Sequence, residues 1–190
     1  MSGRMRGDFP KLSVIVAVRD VEDTVGRDVR CLVRNLRVRN LRFEILAVND
    51  GSCDTSLPLL RFLSAEIPEL EVLGNAKTGR AFRRGAVHAQ GEVVLLWEPD
   101  RGMAFPGAVL GWALSRLERK AAVIVRGRFI LADRMKSLPV LLQTNGRRDE
   151  YETRFERGAS GLGLALEIAG QRPRRAPGHF FAPVLRILSV

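Results

Sequence analysis

Seven residues, Leu12-Ser13-Val14-Ile15-Val16-Ala17-Val18, constrain this chain more than any other stretch. A strand with one wet face alternates apolar and polar residues. A near-continuous β-branched run instead suits a strand buried on both faces, the situation in a parallel sheet covered by helices. Runs of the same kind return at Phe43 to Val48, Val93 to Trp97 and Ala122 to Val125, with a short strand expected near Glu71 to Leu73. Helical spacing fills the gaps. Asp20, Asp23 and Thr24 are candidate caps before Val25, Val29, Leu32, Val33 and Leu36, and Asn40 marks the turn that follows. Asp54 or Thr55 can cap a second helix faced by Leu57, Leu60 and Leu63. Arg80 to Ala89 reads as a third helix, stopped by Gly91, and Pro106 suits the first turn of a fourth that runs to about Leu117.

Strands and helices that alternate in this way predict βαβ units around a mainly parallel sheet. The chain has 190 residues, enough for one domain with a real core. The expectation is therefore one α/β domain over residues 11–190, preceded by a disordered segment over residues 1–10. After Arg126 the pattern predicts a short helix at Leu138 to Leu142 and a charged loop or exposed helix from Asn145 to Arg157. Leu162, Leu166 and Ala169 then suit a helix ended by Gly170, and His179 to Val190 suits a last strand.

The net charge of +10 is spread along the chain, with only short clusters at Arg83-Arg84, Arg147-Arg148 and Arg172 to Arg175. No aromatic RNA-binding signature or helix-turn-helix pattern accompanies it, which argues against nucleic acid as a partner. A polyphosphate ligand, or peripheral contact with an anionic membrane, remains compatible with it. The apolar runs are too short to span a bilayer. Met1 to Pro10 carries two arginines with no apolar stretch behind them, so no signal peptide is expected. Cys31 and Cys53 lack metal-like spacing and read as free thiols of a reducing cytoplasm.

Ligands of open α/β sheets bind beyond the carboxyl ends of the strands. Two loops there are acidic, Asn49-Asp50 and Glu98-Pro99-Asp100. The triplet can hold a divalent cation by its carboxylate oxygens, or can merely cap the turn before Pro106. The Asp50 carboxylate can accept the N3–H of uracil, or can close an Asx turn over Asp50-Gly51-Ser52. Lys77, Arg80, Arg83 and Arg84 stand at a helix start, where phosphate is attracted, or simply form a solvated basic face.

Taken in order, these segments resemble the family 2 glycosyltransferases of the GT-A fold. Leu12 to Val16 through Glu22-Asp23-Thr24 looks like that family's opening strand and turn, with Arg19-Asp20 where Tyr-Asn is usual. Phe43 to Asp54 is similar to its EIIVVDDGSTD segment. Asn75 through Gly79 to Gly85, then Ala89-x-Gly91-Glu92, follows its glycine-punctuated helix, and Val93 to Asp100 resembles the strand into its D-x-D motif. The likeness covers about residues 12–117.

The resemblance implies an inverting, metal-assisted transfer of a sugar from a nucleoside diphosphate donor, with uridine the expected base, to an acceptor hydroxyl on a glycan, lipid or protein. It places Ala17, Asp20, Asp50 and Arg80 at the nucleotide. Asp100, Glu98 and His179 would hold Mn2+ or Mg2+. Asn49 and Glu98 each stand where the family has Asp. The family's acceptor-activating Glu-Asp pair, counted back from Ala169-Gly170 as a helix end, falls on Gly158-Ala159. That leaves Glu156 as the candidate base, with Asp149, Glu150 and Glu152 as alternatives. The other implied function is a catalytically inactive relative that binds sugar nucleotides or protein partners. The arginine-rich composition suits a bacterial protein, cytoplasmic or at the inner face of the membrane.

Overall fold

The computed structural model describes residues 10–74, 78–99, 105–146 and 148–170, with the side chains of residues 148 and 149 excepted. The first nine residues and the expected strand at His179 to Val190 lie outside them. The described chain runs β1 (Leu12–Val18), α1 (Glu22–Arg37), β2 (Phe43–Asn49), α2 (Ser56–Glu66), β3 (Leu70–Leu73), α3 (Ala81–His88), β4 (Val93–Trp97), α4 (Gly107–Leu117), β5 (Ala122–Val125), β6 (Phe129–Asp133), α5 (Arg134–Gln143), α6 (Arg148–Gly161) and β7 (Leu166–Ala169).

The strands form one seven-stranded sheet in the order β3-β2-β1-β4-β6-β5-β7. β1 lies between β2 and β4, parallel to both, and every residue of β1 is buried. This is the environment that its apolar run predicts. β6 runs antiparallel between β4 and β5. Gly127, at φ 65°, turns the chain from β5 into β6.

Side-chain alternation divides the core between the two faces of the sheet. Val14, Val16, Ile45, Ala47 and Leu95 pack toward α1, α2 and α4. Ile15, Ala17, Leu46, Leu96 and Ile130 pack toward α3, α5 and α6. Among the described residues no helix is long and apolar enough to cross a membrane.

Three expectations need correction. The helix drawn through Leu162, Leu166 and Ala169 is instead a turn leading to β7, which pairs in parallel with β5. Backbone pairing along the open edge of β5 outweighs the weak helical spacing of those three residues. Asn145 to Arg157 is neither a loop nor a fully exposed helix. Within α6, Tyr151, Phe155 and Ala159 recur every fourth residue and are buried against the sheet. Finally, α1 is capped by none of Asp20, Asp23 or Thr24. Its N-cap is Val21, which offers no side-chain cap.

Candidate active site at the carboxyl rim of the sheet

The caps missing from α1 come from the neighbouring loop. The Glu22 N–H donates to Asp54 Oδ2 at 3.0 Å, and the Val21 N–H donates to Ser56 Oγ at 3.0 Å. In return, Glu22 Oε2 accepts from the Thr55 N–H at 2.8 Å, and Asp20 Oδ1 accepts from the Cys53 N–H at 2.8 Å. The β1–α1 and β2–α2 loops are thus stitched to each other by side chains that satisfy orphan helix donors. Burial alone would push the Asp54 carboxyl up, but hydrogen bonds from Ser56 and Glu22 together hold it below its ordinary value. Asp20 reaches Cys53 because its backbone is left-handed, at φ 49°.

The Asx turn forms one residue earlier than the expected Asp50 turn. Asn49 Oδ1 accepts from the Ser52 N–H at 3.0 Å. Asp50 is therefore free to turn across the rim. It is 6 % exposed, and both its oxygens accept from the Gly79 N–H, at 2.9 and 3.0 Å. The Gly79 carbonyl in turn accepts from the Gly146 N–H at 2.8 Å. Gly79 sits at φ 76°, a conformation that a side chain would strain. One glycine peptide therefore links the end of β2, the start of α3 and the loop before α6.

Beyond this link, Phe82 of α3, Glu98 after β4, Arg128 and Phe129 at the start of β6, and Tyr151 and Glu152 of α6 line one cleft. Glu152 is 5 % exposed, and its Oε1 accepts from the Gly127 N–H at 3.0 Å.

The expected site residues distribute unequally. Asp50 and Glu98 stand at the rim. Asp20 stands there with its carboxylate on Cys53 and beside Arg19, at 3.6 Å. Ala17 lies on β1 with its side chain in the core toward α3. Arg80 is the exposed N-cap of α3. Glu156 is not in the cleft lining. It forms a short ion pair with Arg126, whose side chain is 6 % exposed. Lys77, Asp100 and His179 lie outside the described residues. The count that selected Gly158-Ala159 assumed a helix ending at Ala169-Gly170. Those residues end a strand, so the count does not hold. Tyr151 and Arg128 were not anticipated. The four-residue spacing of Tyr151, Phe155 and Ala159 was the signal available for the first.

Hard cations such as Mn2+ and Mg2+ take carboxylate oxygens. Glu98 is a donor of that kind at the strand end, so the donor chemistry fits. Among the described residues, however, no group of three His, Cys, Asp or Glu side chains gathers as a complete set.

The sequence model described as glycosyl transferase family 2 matches residues 13–160. No curated protein matches the sequence. Among solved structures, the chain is similar to the mannosyltransferase PcManGT from Pyrobaculum calidifontis in complex with GDP-Man and Mn2+. The TM-score is 0.68 at 14 % identity, over 85 % of this chain and 55 % of that one. It is also similar to residues 1–349 of S. aureus TarS in complex with UDP-GlcNAc, with a TM-score of 0.62 at 14 % identity, over 89 % and 60 %. A third is the glucosyl-3-phosphoglycerate synthase of Mycobacterium tuberculosis, in complex with Mn2+, UDP and phosphoglyceric acid. Here the TM-score is 0.62 at 14 % identity, over 84 % and 68 %. The chain thus spans little more than half the length of the first two.

Proposed function

The chain belongs to glycosyl transferase family 2, and on that premise we propose that it transfers a sugar, with inversion, from a nucleoside diphosphate donor to an acceptor hydroxyl. The observation that carries the reading is the cleft in which Glu98 of the β4 end and Glu152 of α6 line one space beside the Asp50–Gly79 link. Asp50 reads the base. Its two oxygens share one N–H, which leaves lone pairs for the N3–H of uracil or a comparable donor. Arg80 lies toward the phosphates. Glu98 and Asp100 would hold a divalent cation, Mn2+ or Mg2+, which when bound supplies charge neutralisation for the diphosphate. Structural relatives that carry GDP-Man or UDP with Mn2+ support this reading.

In the transfer, the acceptor oxygen forms a bond to the anomeric carbon from the face opposite the diphosphate. The bond from that carbon to the diphosphate oxygen breaks, and its electron pair leaves with the nucleoside diphosphate. The hydroxyl proton passes to a carboxylate. We assign that base to Glu152, which lines the cleft, in preference to Glu156, which is committed to Arg126. A single displacement of this kind inverts the anomeric centre. A cytoplasmic site of action, with the basic surface resting on the inner face of a membrane, belongs to the same proposal.

Calorimetric titration with UDP and with GDP, each with and without Mn2+, tests it. Metal-dependent binding that weakens at least tenfold in Asp50→Ala is expected. Absence of binding for both nucleotides at millimolar concentration would sink the donor site. The commitment of Glu156 also favours a second reading, a sugar-nucleotide-binding protein without turnover. Nucleotide binding without any release of UDP or GDP from their sugar donors would select it.

A further inference from the structure

Two polar side chains that line the cleft lack a partner among the described residues. Tyr151 is 1 % exposed, and its hydroxyl has no hydrogen-bond partner among the described residues. Its ring is held edge-on to Phe82 at 4.8 Å and stacked on Phe155 at 6.3 Å, so packing fixes where the hydroxyl points. A buried hydroxyl left unmade costs about 1–3 kcal/mol, a penalty that phenylalanine at the same position would avoid. Burial pushes the phenol well above its ordinary range, so it remains a protonated donor.

Arg128 is the second group. Five described arginines are half-buried: Arg19, Arg39, Arg126, Arg128 and Arg134. Arg19 pairs with Asp20, and Arg126 with Glu156. Arg39 donates to the Asn35 and Gly107 carbonyls, and Arg134 to the Gly91 carbonyl. Arg128, which lines the cleft, has no ion pair or side-chain hydrogen bond among the described residues. A partly desolvated guanidinium is costly unless something pairs with it.

Tyr151 and Arg128 line the same cleft, and a protonated phenol beside a planar guanidinium makes a donor set for an anion. We propose that the cleft is the acceptor subsite and takes an acceptor that carries a phosphate or carboxylate near the hydroxyl to be glycosylated. Arg128 pairs with that anion, and the Tyr151 hydroxyl donates to it. Glu152 faces the hydroxyl. A neutral acceptor would leave the half-buried guanidinium unpaired, so the arrangement selects for charge. The net charge of +10 adds to this by drawing anions toward the surface. The inference rests on the glycosyl-transfer reading for what is done to the acceptor, but the anion site can be tested by itself.

The test is calorimetric titration of the full chain with glucose 6-phosphate, glucuronate and glucose. Expected is binding of one or both anions at least tenfold tighter than that of glucose. The arms separate the sources, since preference for glucose 6-phosphate assigns phosphate and preference for glucuronate assigns carboxylate. Arg128→Gln is expected to erase the preference. Tyr151→Phe is expected to weaken anion binding roughly tenfold, the loss of one hydrogen bond to a charged group. Because that variant removes an unpartnered hydroxyl and keeps the ring, its thermal midpoint should not fall. Equal binding of all three probes, no binding of either anion, or full anion preference in Arg128→Gln would overturn the inference. A chain that binds UDP without anion preference overturns it and leaves the donor reading intact. Anion binding lost in Arg128→Gln, with no nucleotide bound, supports the anion site and sinks the donor reading.

Discussion

Gly85 sets how closely α3 can approach the sheet, and substituting it tests the packing that supports the site. A Cβ built there would meet Ile15 Cγ2 at 2.2 Å and Ile15 Cγ1 at 3.0 Å. Carbon atoms in good contact are about 3.5–4.0 Å apart, so Gly85→Ala requires a separation of roughly 1.5 Å between helix and strand. Ile15 has no exposed side on which to relax, since it is completely buried in β1. Overpacking of this kind costs roughly 1–3 kcal/mol, and an overlap this large belongs at the upper end. The alanine offsets about 1 kcal/mol through its better helix propensity. The net expectation is a loss of about 1–2 kcal/mol, read as a lower urea midpoint at unchanged slope. The partner matters more than the total. Ile15→Ala alone should cost about 2–5 kcal/mol as a cavity, and adding Gly85→Ala to it should cost far less than adding it to the wild type. A Gly85→Ala protein as stable as wild type, or two substitutions that simply add, would refute the reasoning. Because α3 also carries Phe82 into the cleft and follows Gly79 directly, the single variant should bind nucleotide more weakly as well.

Three further outcomes follow from the carboxylates. Asp54→Ala removes acceptors for the Glu22 and Ser56 N–H groups and should cost about 1–2 kcal/mol at neutral pH. The folded Asp54 carboxyl titrates below its unfolded value of about 3.9, so its contribution is complete above that pH and is lost as pH falls through the folded value. Urea unfolding from pH 6 down to pH 3 should therefore show a shallower acid loss in the variant than in wild type. Glu152→Gln should reduce turnover by about 10²–10⁴-fold with little change in nucleotide affinity. Glu156→Gln should instead lower the thermal midpoint, because Arg126 loses its charged partner, while turnover stays within a few fold.

How much of this was legible depended on how local the signal was. β1, β4 and β5 fall on the residues that their β-branched runs predict, because a strand buried on both faces must be apolar throughout. The fourth helix begins at Gly107, with Pro106 as its N-cap rather than in its first turn as expected. β6 escaped notice although Phe129-Ile130-Leu131-Ala132 is a run of the same kind, since a tight Gly127 turn joins it to β5 in place of a helix. β7 could not be read at all. Four residues at a sheet edge, with Ile168 41 % exposed, owe their conformation to pairing with β5. Asp50 and Glu98 were singled out because the loops at the carboxyl ends of their strands are acidic. Glu152 was named only as an alternative base, and Tyr151 and Arg128 were not singled out, because α6 and the β5–β6 turn meet only in the folded sheet.

The two halves of the rim use their polar groups in opposite ways. On the β1–β2 side, Asp20, Glu22 and Asp54 accept from backbone N–H groups of the facing loop, and Asn49 accepts from one within its own loop. A frame tied together in this way presents one geometry, which on the proposed reading suits a nucleotide whose base and phosphates vary little. On the β4–α6 side, a phenol and a guanidinium have no side-chain partner among the described residues. On the proposed reading their partner comes from outside, and its affinity draws on a penalty that the folded chain already carries. A ligand that satisfies both groups gains more than the same contacts would yield in water, since the alternative is an unpaired buried hydroxyl and an unpaired, half-buried guanidinium. On the proposed reading, selectivity in this chain therefore sits with the acceptor, and Arg128 and Tyr151 are the residues through which it would be changed.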